Sequence, residues 1–142
     1  MFVERTSDVS LLVELRHEVL RKGLPVDEVK FSGDHLLSTR HYVVLNEDIC
    51  IACLSLLSEP FDGESAWRLR AMAVREGKQK CGVGSRLMQF AIDDLYADGL
   101  YLPIWCHARV SAQSFYIRFN FEQMGNPFVF GNAGQSVVML RN

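Results

Sequence analysis

The chain has 142 residues, of which 49% are hydrophobic and 23% charged, and its formal net charge is -2. Such a chain fits one domain with a true apolar core, and its near-neutral balance gives no electrostatic basis for nucleic-acid or membrane partners. No apolar run is long enough to span a bilayer, and Met1 to Arg5 lacks the apolar stretch of a signal peptide.

In chain order, residues 2–5 read as a short strand. Thr6, Ser7 and Asp8 offer caps for a helix over 9–22, with Leu12, Leu15 and Val19 on its apolar stripe and Gly23 and Pro25 beyond its end. Residues 26–39 are polar and irregular, with one helical turn expected over 35–38. Residues 41–45 and 49–57 read as strands joined at Asn46-Glu47-Asp48, a hairpin signal. A second turn, 59–64, carries Pro60 and Gly63 and leads to a third strand over 66–74. In that strand Trp67, Leu69, Ala71 and Ala73 share one face, and Arg68, Arg70, Met72 and Val74 the other. The main helix is expected over 82–97, with Leu87, Met88, Ala91 and Leu95 buried and Gly99 as its stop. A strand over 102–107, a helix over 111–119 and strands over 121–124 and 135–140 complete the chain. This order predicts a mixed α+β fold around one central, mostly antiparallel sheet, in a single domain. Cys50 and Cys53 have C-x-x-C spacing, but Ile51-Ala52 between them reads as buried strand rather than a zinc or redox site. No metal is expected, and the cysteine usage suits a reduced, cytoplasmic protein.

The stretch with the most chemistry runs from Met72 to Gln89. A strand end is followed by a basic loop, then Gly82 and Gly84, then a helix start. The first N–H groups of a helix lack internal partners and favour anions. Lys78, Lys80 and Arg86 add positive charge. Gly77 and Gly82 have P-loop spacing, but Val83-Gly84 stands where Lys-Ser/Thr is required. A dinucleotide fingerprint would need a third glycine at Leu87. What remains is Gln79-x-x-Gly82-x-Gly84, which is balanced between a phosphate loop and an ordinary glycine turn.

That motif resembles the acyl-CoA pyrophosphate loop, Arg/Gln-x-x-Gly-x-Gly/Ala, of the GNAT family of N-acetyltransferases. Two further stretches look like signatures of one small subgroup: Leu15-Arg16-His17-Glu18-Val19-Leu20-Arg21 with Pro25, Glu28, Phe31 and Gly33-Asp34, and Trp105-Cys106-x-Ala108-Arg109-x-x-Ala112-x-x-Phe115-Tyr116 with Phe121. Trp67-Arg68-Leu69-Arg70-x-Met72-Ala73-Val74 looks like that subgroup's strand before the loop. The resemblance implies transfer of an acetyl group from acetyl-CoA to the amine of a small molecule or peptide by direct attack. It implies backbone polarisation of the thioester at Met72, Ala73 and Val74, and cofactor contacts from Gln79, Lys80, Cys81, Gly82, Val83, Gly84, Ser85 and Ala112. It makes Tyr116 the general acid for the leaving thiolate, against a plain core role on its apolar stripe. Arg70 and His107 are candidate acceptor contacts, against pairing with a sheet carboxylate for Arg70 and against a CoA contact or a hydrogen-bonded structural role for His107. Arg68 is expected to pair with a sheet carboxylate such as Glu64 rather than bind a substrate carboxylate, and His35, His41 and Glu59 are possible bases expected rather at surfaces or strand ends. The resemblance also leaves room for a homodimer.

The sequence departs from the pattern at Ala71, Lys80 and Asn120, where glycine is usual, at His107, where asparagine is usual, and at Gly134-Gln135-Ser136, which replaces Gly-Pro-His. These changes keep a second class open, a non-catalytic acyl-CoA-binding module. A nucleotide-binding protein is a weaker third reading.

Overall fold

The computed structural model describes residues 1–25, 31–129 and 134–142. Glu28 and the first part of the expected irregular segment, 26–30, lie outside the described residues. The elements are β1 (Phe2–Thr6), α1 (Ser10–Leu20), β2 (Arg40–Asn46), β3 (Ile49–Ser58), β4 (Trp67–Val74), α2 (Val83–Ala97), β5 (Ile104–Arg109), a 3-10 turn (Val110–Ala112), α3 (Gln113–Ile117), β6 (Glu122–Val129) and β7 (Gln135–Arg141). The strands form a seven-stranded sheet in the order β1-β2-β3-β4-β5-β7-β6. β4 and β5 run parallel, whereas β1–β2, β2–β3, β5–β7 and β6–β7 are antiparallel. The expected α+β class and mostly antiparallel sheet are therefore present.

The chain divides into two compact units, Met1–Leu57 with Ala71–Tyr101 and Ser58–Arg70 with Leu102–Asn142. In the first, β2 and β3 form the expected hairpin. Its two central residues, Glu47 and Asp48, have φ of 50° and 66°. Left-handed residues at both positions give the twist that a two-residue hairpin turn requires. β3 carries one extra residue: Val44 faces Ala52, but Leu45 faces Cys50, so Ile51 is a bulge. The bulge restores Cys50 to the face of Cys53, and both join Leu12, Leu15, Val43 and Ala73 in one core cluster. Both cysteines are free and buried, as expected of strand residues.

α1 starts after Asp8, whose carboxylate accepts the Ser10 N–H at 3.1 Å. It stops at Leu20, two residues before the expected end, where the Arg21 N–H turns back to the Arg16 carbonyl. α2 buries Val83, Leu87, Met88, Ala91, Ile92 and Leu95 and ends as Gly99 takes φ 71°. The expected stripe is thus present and widened by Val83 and Ile92.

The second unit differs more from expectation. β5 lies two residues later than 102–107, because Leu102 stays exposed and Pro103 offers only its carbonyl, to the Trp67 N–H. The expected helix over 111–119 splits into the 3-10 turn and a five-residue α3. Asn120 closes it with φ 67°, and the N–H groups of Phe119 and Phe121 both reach the Tyr116 carbonyl. β6 continues past Met124 through Gly125 and Pro127, with a register shift before Phe128. An outer strand tolerates proline because one of its edges needs no ladder bonds. On β5 and β7 the pairs Cys106–Met139 and Ala108–Val137 are buried on one face.

Candidate active site

In the first unit, β4 delivers Met72, Ala73 and Val74 to the start of the basic loop. Ala73 is buried, while Met72 and Val74 are half-buried. The Val74 carbonyl accepts a 2.9 Å bond from the Gln79 side-chain amide, which closes the loop on the strand end. Residues 76–82 are exposed. Gly82, the N-cap of α2, has φ 80°, and no side chain caps the helix. A methyl group there would meet no atom within 4 Å, so glycine serves the backbone angle and leaves open space in front of the helix. The first N–H groups of α2, at Val83, Gly84 and Ser85, therefore sit behind an exposed, basic loop, with no acidic residue in the first turn. Uncapped N–H groups with the positive helix end suit a pyrophosphate. Cys81 is exposed, with its thiol on the Gln79 carbonyl at 3.5 Å.

Three sequence departures have one physical explanation. Ala71, Lys80 and Asn120 all adopt left-handed backbone, with φ of 56°, 62° and 67°. Glycine enters this region without cost and asparagine is the next best, so glycine is understandable at each position, Asn120 is a mild replacement, and Ala71 and Lys80 are the strained ones.

In the second unit, Tyr116 is buried and packs edge-on against Phe115 and Phe121, with ring centroids 5.3 Å and 5.5 Å apart. Burial, and then the Cys106 thiol, push its phenol far above the ordinary tyrosine range. The hydroxyl has no hydrogen-bond partner among the described residues. Ala112, expected to share a helical stripe with Tyr116, lies in the 3-10 turn and is half-buried. Arg70 is half-buried on β4. His107 is a mid-strand residue of β5, between Trp105 at 5.5 Å and Phe128 at 5.3 Å, ring to ring. Burial, and then the nearby Arg68 charge, lower its pKa, so the imidazole is neutral at neutral pH. Cys106 is pushed up to about 12 by burial and is inert as a nucleophile.

Several expectations need correction. Arg68 does pair with a carboxylate, that of Glu59 at 3.3 Å in place of Glu64, and stacks over Trp105 at 4.9 Å, while the Trp105 indole N–H donates to the Glu59 carbonyl. The Glu59 carboxylate is thus engaged in an ion pair. His41 stands near the start of β2, a strand-end place as expected, but it is not at the surface: it is 1% exposed. Its Nε2 lies 2.9 Å from the Asp34 carbonyl and its Nδ1 2.6 Å from the Ser55 hydroxyl. Ser136, at the histidine position of the resemblance, is buried.

Sequence reasoning also missed the residues that organise this region. Arg16 is fully buried, donates to both Asp34 oxygens at 2.7 and 3.1 Å, and donates to Ser55 at 3.1 Å. A signal existed: Arg16 lies four residues past Leu12, on the helix face that α1 buries, and a buried arginine needs a carboxylate. Arg75, the first residue after β4, reaches Glu18 and the Cys50 carbonyl, and nothing in its local sequence announces either partner.

Comparison with known proteins gives these residues a family. A model of the acetyltransferase (GNAT) domain matches residues 38–123. The chain is 32% identical over 144 residues to YitI of Bacillus subtilis, described as an uncharacterized N-acetyltransferase, covering 99% of this chain and 96% of that one. Among solved structures, Escherichia coli ElaA has a TM-score of 0.83 at 18% identity, over 100% of both chains. An aminoglycoside 6'-N-acetyltransferase complexed with coenzyme A has a TM-score of 0.78 at 12% identity, over 99% of this chain and 96% of that one. At these identities the structures establish the fold. Among the described residues, no helix is long and apolar enough to cross a membrane.

Proposed function

Because the chain belongs to the GNAT family and is an N-acetyltransferase, we propose that residues 1–142 form a single domain that moves an acetyl group from acetyl-CoA to the amine of a small molecule or peptide. The carrying observation is the exposed loop that leads into the uncapped start of α2, directly after the β4 strand end. Gln79, Lys80, Cys81, Gly82, Val83, Gly84 and Ser85 hold the pyrophosphate, chiefly through backbone N–H groups. The N–H groups at Met72, Ala73 and Val74 polarise the thioester carbonyl, and a preorganised donor of this kind is worth roughly 3–4 kcal/mol in hydrolytic enzymes.

The free amine attacks the carbonyl carbon, a C–N bond forms and the C–S bond breaks. The amine proton leaves to solvent, and the CoA thiolate takes a proton. Tyr116 supplies that proton in this reading. The phenol holds its proton at working pH, as any tyrosine does, while its burial makes it a weaker acid than a solvated one. Ala112 contacts the cofactor, and Arg70 and His107 contact the acceptor. The free cysteines are consistent with a reduced, cytoplasmic setting.

The test is a thermal-shift titration followed by thiol release across an amine panel. Acetyl-CoA at 100 times its dissociation constant should stabilise the fold by about 2.7 kcal/mol. Equal stabilisation by ATP would sink the acyl-CoA assignment.

A further inference from the structure

The geometry points to Arg75 as a positioning residue for acetyl transfer, one that sets the β4 strand end through the bulge in β3. This rests on the reading above that the N–H groups of Met72 to Val74 polarise the thioester. In a regular strand, successive carbonyls point to opposite edges. At the Ile51 bulge they do not. The Ile51 carbonyl accepts the Arg75 backbone N–H at 2.8 Å. The neighbouring Cys50 carbonyl accepts Nε and Nη2 of the same residue at 3.3 and 3.0 Å. Two consecutive carbonyls are thus engaged by one arginine at the bulge, one by its main chain and one by its side chain.

The other side of the guanidinium is held by α1. Nη1 donates to Glu18 at 2.5 Å, and Glu14 lies 3.9 Å from Nη2. The Arg75 side chain is 22% exposed, against 37% for Glu18 and 84% for Glu14. Glu18 is therefore the effective partner, and Glu14 is mostly solvated. Arg75 is the residue directly after Val74. Its main chain and its side chain are both fixed, the first by β3 and the second by β3 and α1 together. The Val74 carbonyl is fixed from the loop side by Gln79. The strand end is clamped just where its N–H groups would meet the thioester oxygen. Lysine does not reproduce this spread, because its donors sit on one nitrogen, whereas Arg75 uses Nε and Nη2 for the Cys50 carbonyl and Nη1 for Glu18.

The experiment uses the full chain and acetyl-CoA labelled with carbon-13 at the thioester carbonyl. Isotope-edited difference infrared spectroscopy reads the carbonyl band in the bound state, and calorimetry reads affinity. Wild type should lower the band frequency relative to free acetyl-CoA. Arg75→Lys should bind acetyl-CoA with affinity essentially unchanged and lose most of that shift. With an acceptor amine in hand, its turnover should fall by up to about 10²-fold, the cost of misplacing a reacting group by about 1 Å. Glu18→Gln keeps the carbonyl bonds and should lose a smaller part of the shift. It carries the same test if Arg75→Lys does not fold.

A full band shift in both variants overturns the inference and leaves the polarising strand end intact. So does lost affinity with an unchanged band in the bound fraction, which would make Arg75 a loop anchor only. Wild-type acetyl-CoA bound without any shift overturns the polarisation reading itself, and this inference with it.

Discussion

In the first unit ion pairs lead the side-chain contacts, with the Tyr42–Phe90 and Tyr96–Tyr101 ring pairs beside them, and in the second the rings lead. Arg16–Asp34, Arg40–Asp94 and Arg75–Glu18 belong to the first. Phe61–Trp105–His107–Phe128 and Phe115–Tyr116–Phe121 belong to the second, where Arg68 lies over Trp105 as well as beside Glu59. The difference is one of directionality. A bidentate guanidinium fixes its partner in distance and angle. An aromatic pair adds about 0.5–1.5 kcal/mol beyond its area burial and tolerates several arrangements. The first pattern suits a unit that must hold a loop and a strand end in place. The second suits a unit whose groups need to be dry.

Tyr116 tests the second half of that comparison with the largest expected effect. Tyr116→Phe keeps the ring and its contacts with Phe115 and Phe121, so stability should barely change. If the hydroxyl is the general acid, turnover at saturating acetyl-CoA should fall by about 10²–10⁴-fold. Wild-type turnover in this variant would return Tyr116 to a packing role alone.

Asp34→Ala tests the first half. It leaves Arg16 charged and fully buried, and it strips the Phe31 N–H of its acceptor. Removing one partner of a buried pair costs about 3–5 kcal/mol. Urea denaturation should show that loss, and a change below about 1 kcal/mol, the range of exposed pairs, would mean that the site is wetter than it looks.

Acid should separate the two units. Burial alone would raise the Asp34 pKa, but the Arg16 and Phe31 hydrogen bonds outweigh it and hold the carboxyl below its ordinary 3.8. Its stabilising contribution is therefore complete above 3.8 and lost as pH falls through the lower folded value. His107 has the opposite chemistry and a higher window. Its folded pKa lies below the ordinary 6.5, so it costs nothing above that value and penalises folding as pH drops beneath it. Denaturation midpoints compared between wild type and His107→Asn should diverge first below pH 6.5, with the variant the more resistant. Identical acid profiles would remove His107 as a titrating member of the second unit.

The smallest effect belongs to an exposed pair. Arg5 reaches Asp94 at 3.0 Å, but its side chain is 45% exposed and Arg40 and Tyr42 already engage the same carboxylate oxygen. Arg5→Ala should cost only about 0.2–1 kcal/mol, read as a small, salt-sensitive drop in melting temperature.

The split between charges and rings also marks what was legible in the sequence. The hairpin at Glu47-Asp48 and the α2 stripe follow from local pattern, and the structure has both. Gly82 carried a clear signal because a helix start after a basic loop needs no distant partner. The bulge at Ile51 was invisible, since it arises from how β3 meets β2. Arg75 was equally silent, because both its partners lie more than fifty or about twenty-five positions away, in α1 and β3. The shortened α3 was misjudged because the apolar spacing of Ala112, Phe115 and Phe119 runs through the 3-10 turn and beyond Ile117, where α3 ends, up to the turn at Asn120. Ala71, Lys80 and Asn120 were noticed as departures, and only their backbone angles explain them.

Ala71 has a consequence for the chain before it folds. A non-glycine residue in left-handed backbone costs roughly 1–2 kcal/mol in the native state. Glycine would relieve that strain, but it would also enlarge the disordered ensemble by roughly 0.4–1 kcal/mol of entropy. The strain term is the larger, so alanine keeps a net cost of roughly 1 kcal/mol relative to glycine. It also changes compliance. With Ala71 the stretch entering Met72 to Val74 has few alternative conformations, whereas Ala71→Gly should speed amide hydrogen exchange at Met72 and Ala73 even as global stability rises by roughly 1 kcal/mol. The protein holds its strand end taut by accepting a residue that fits it badly.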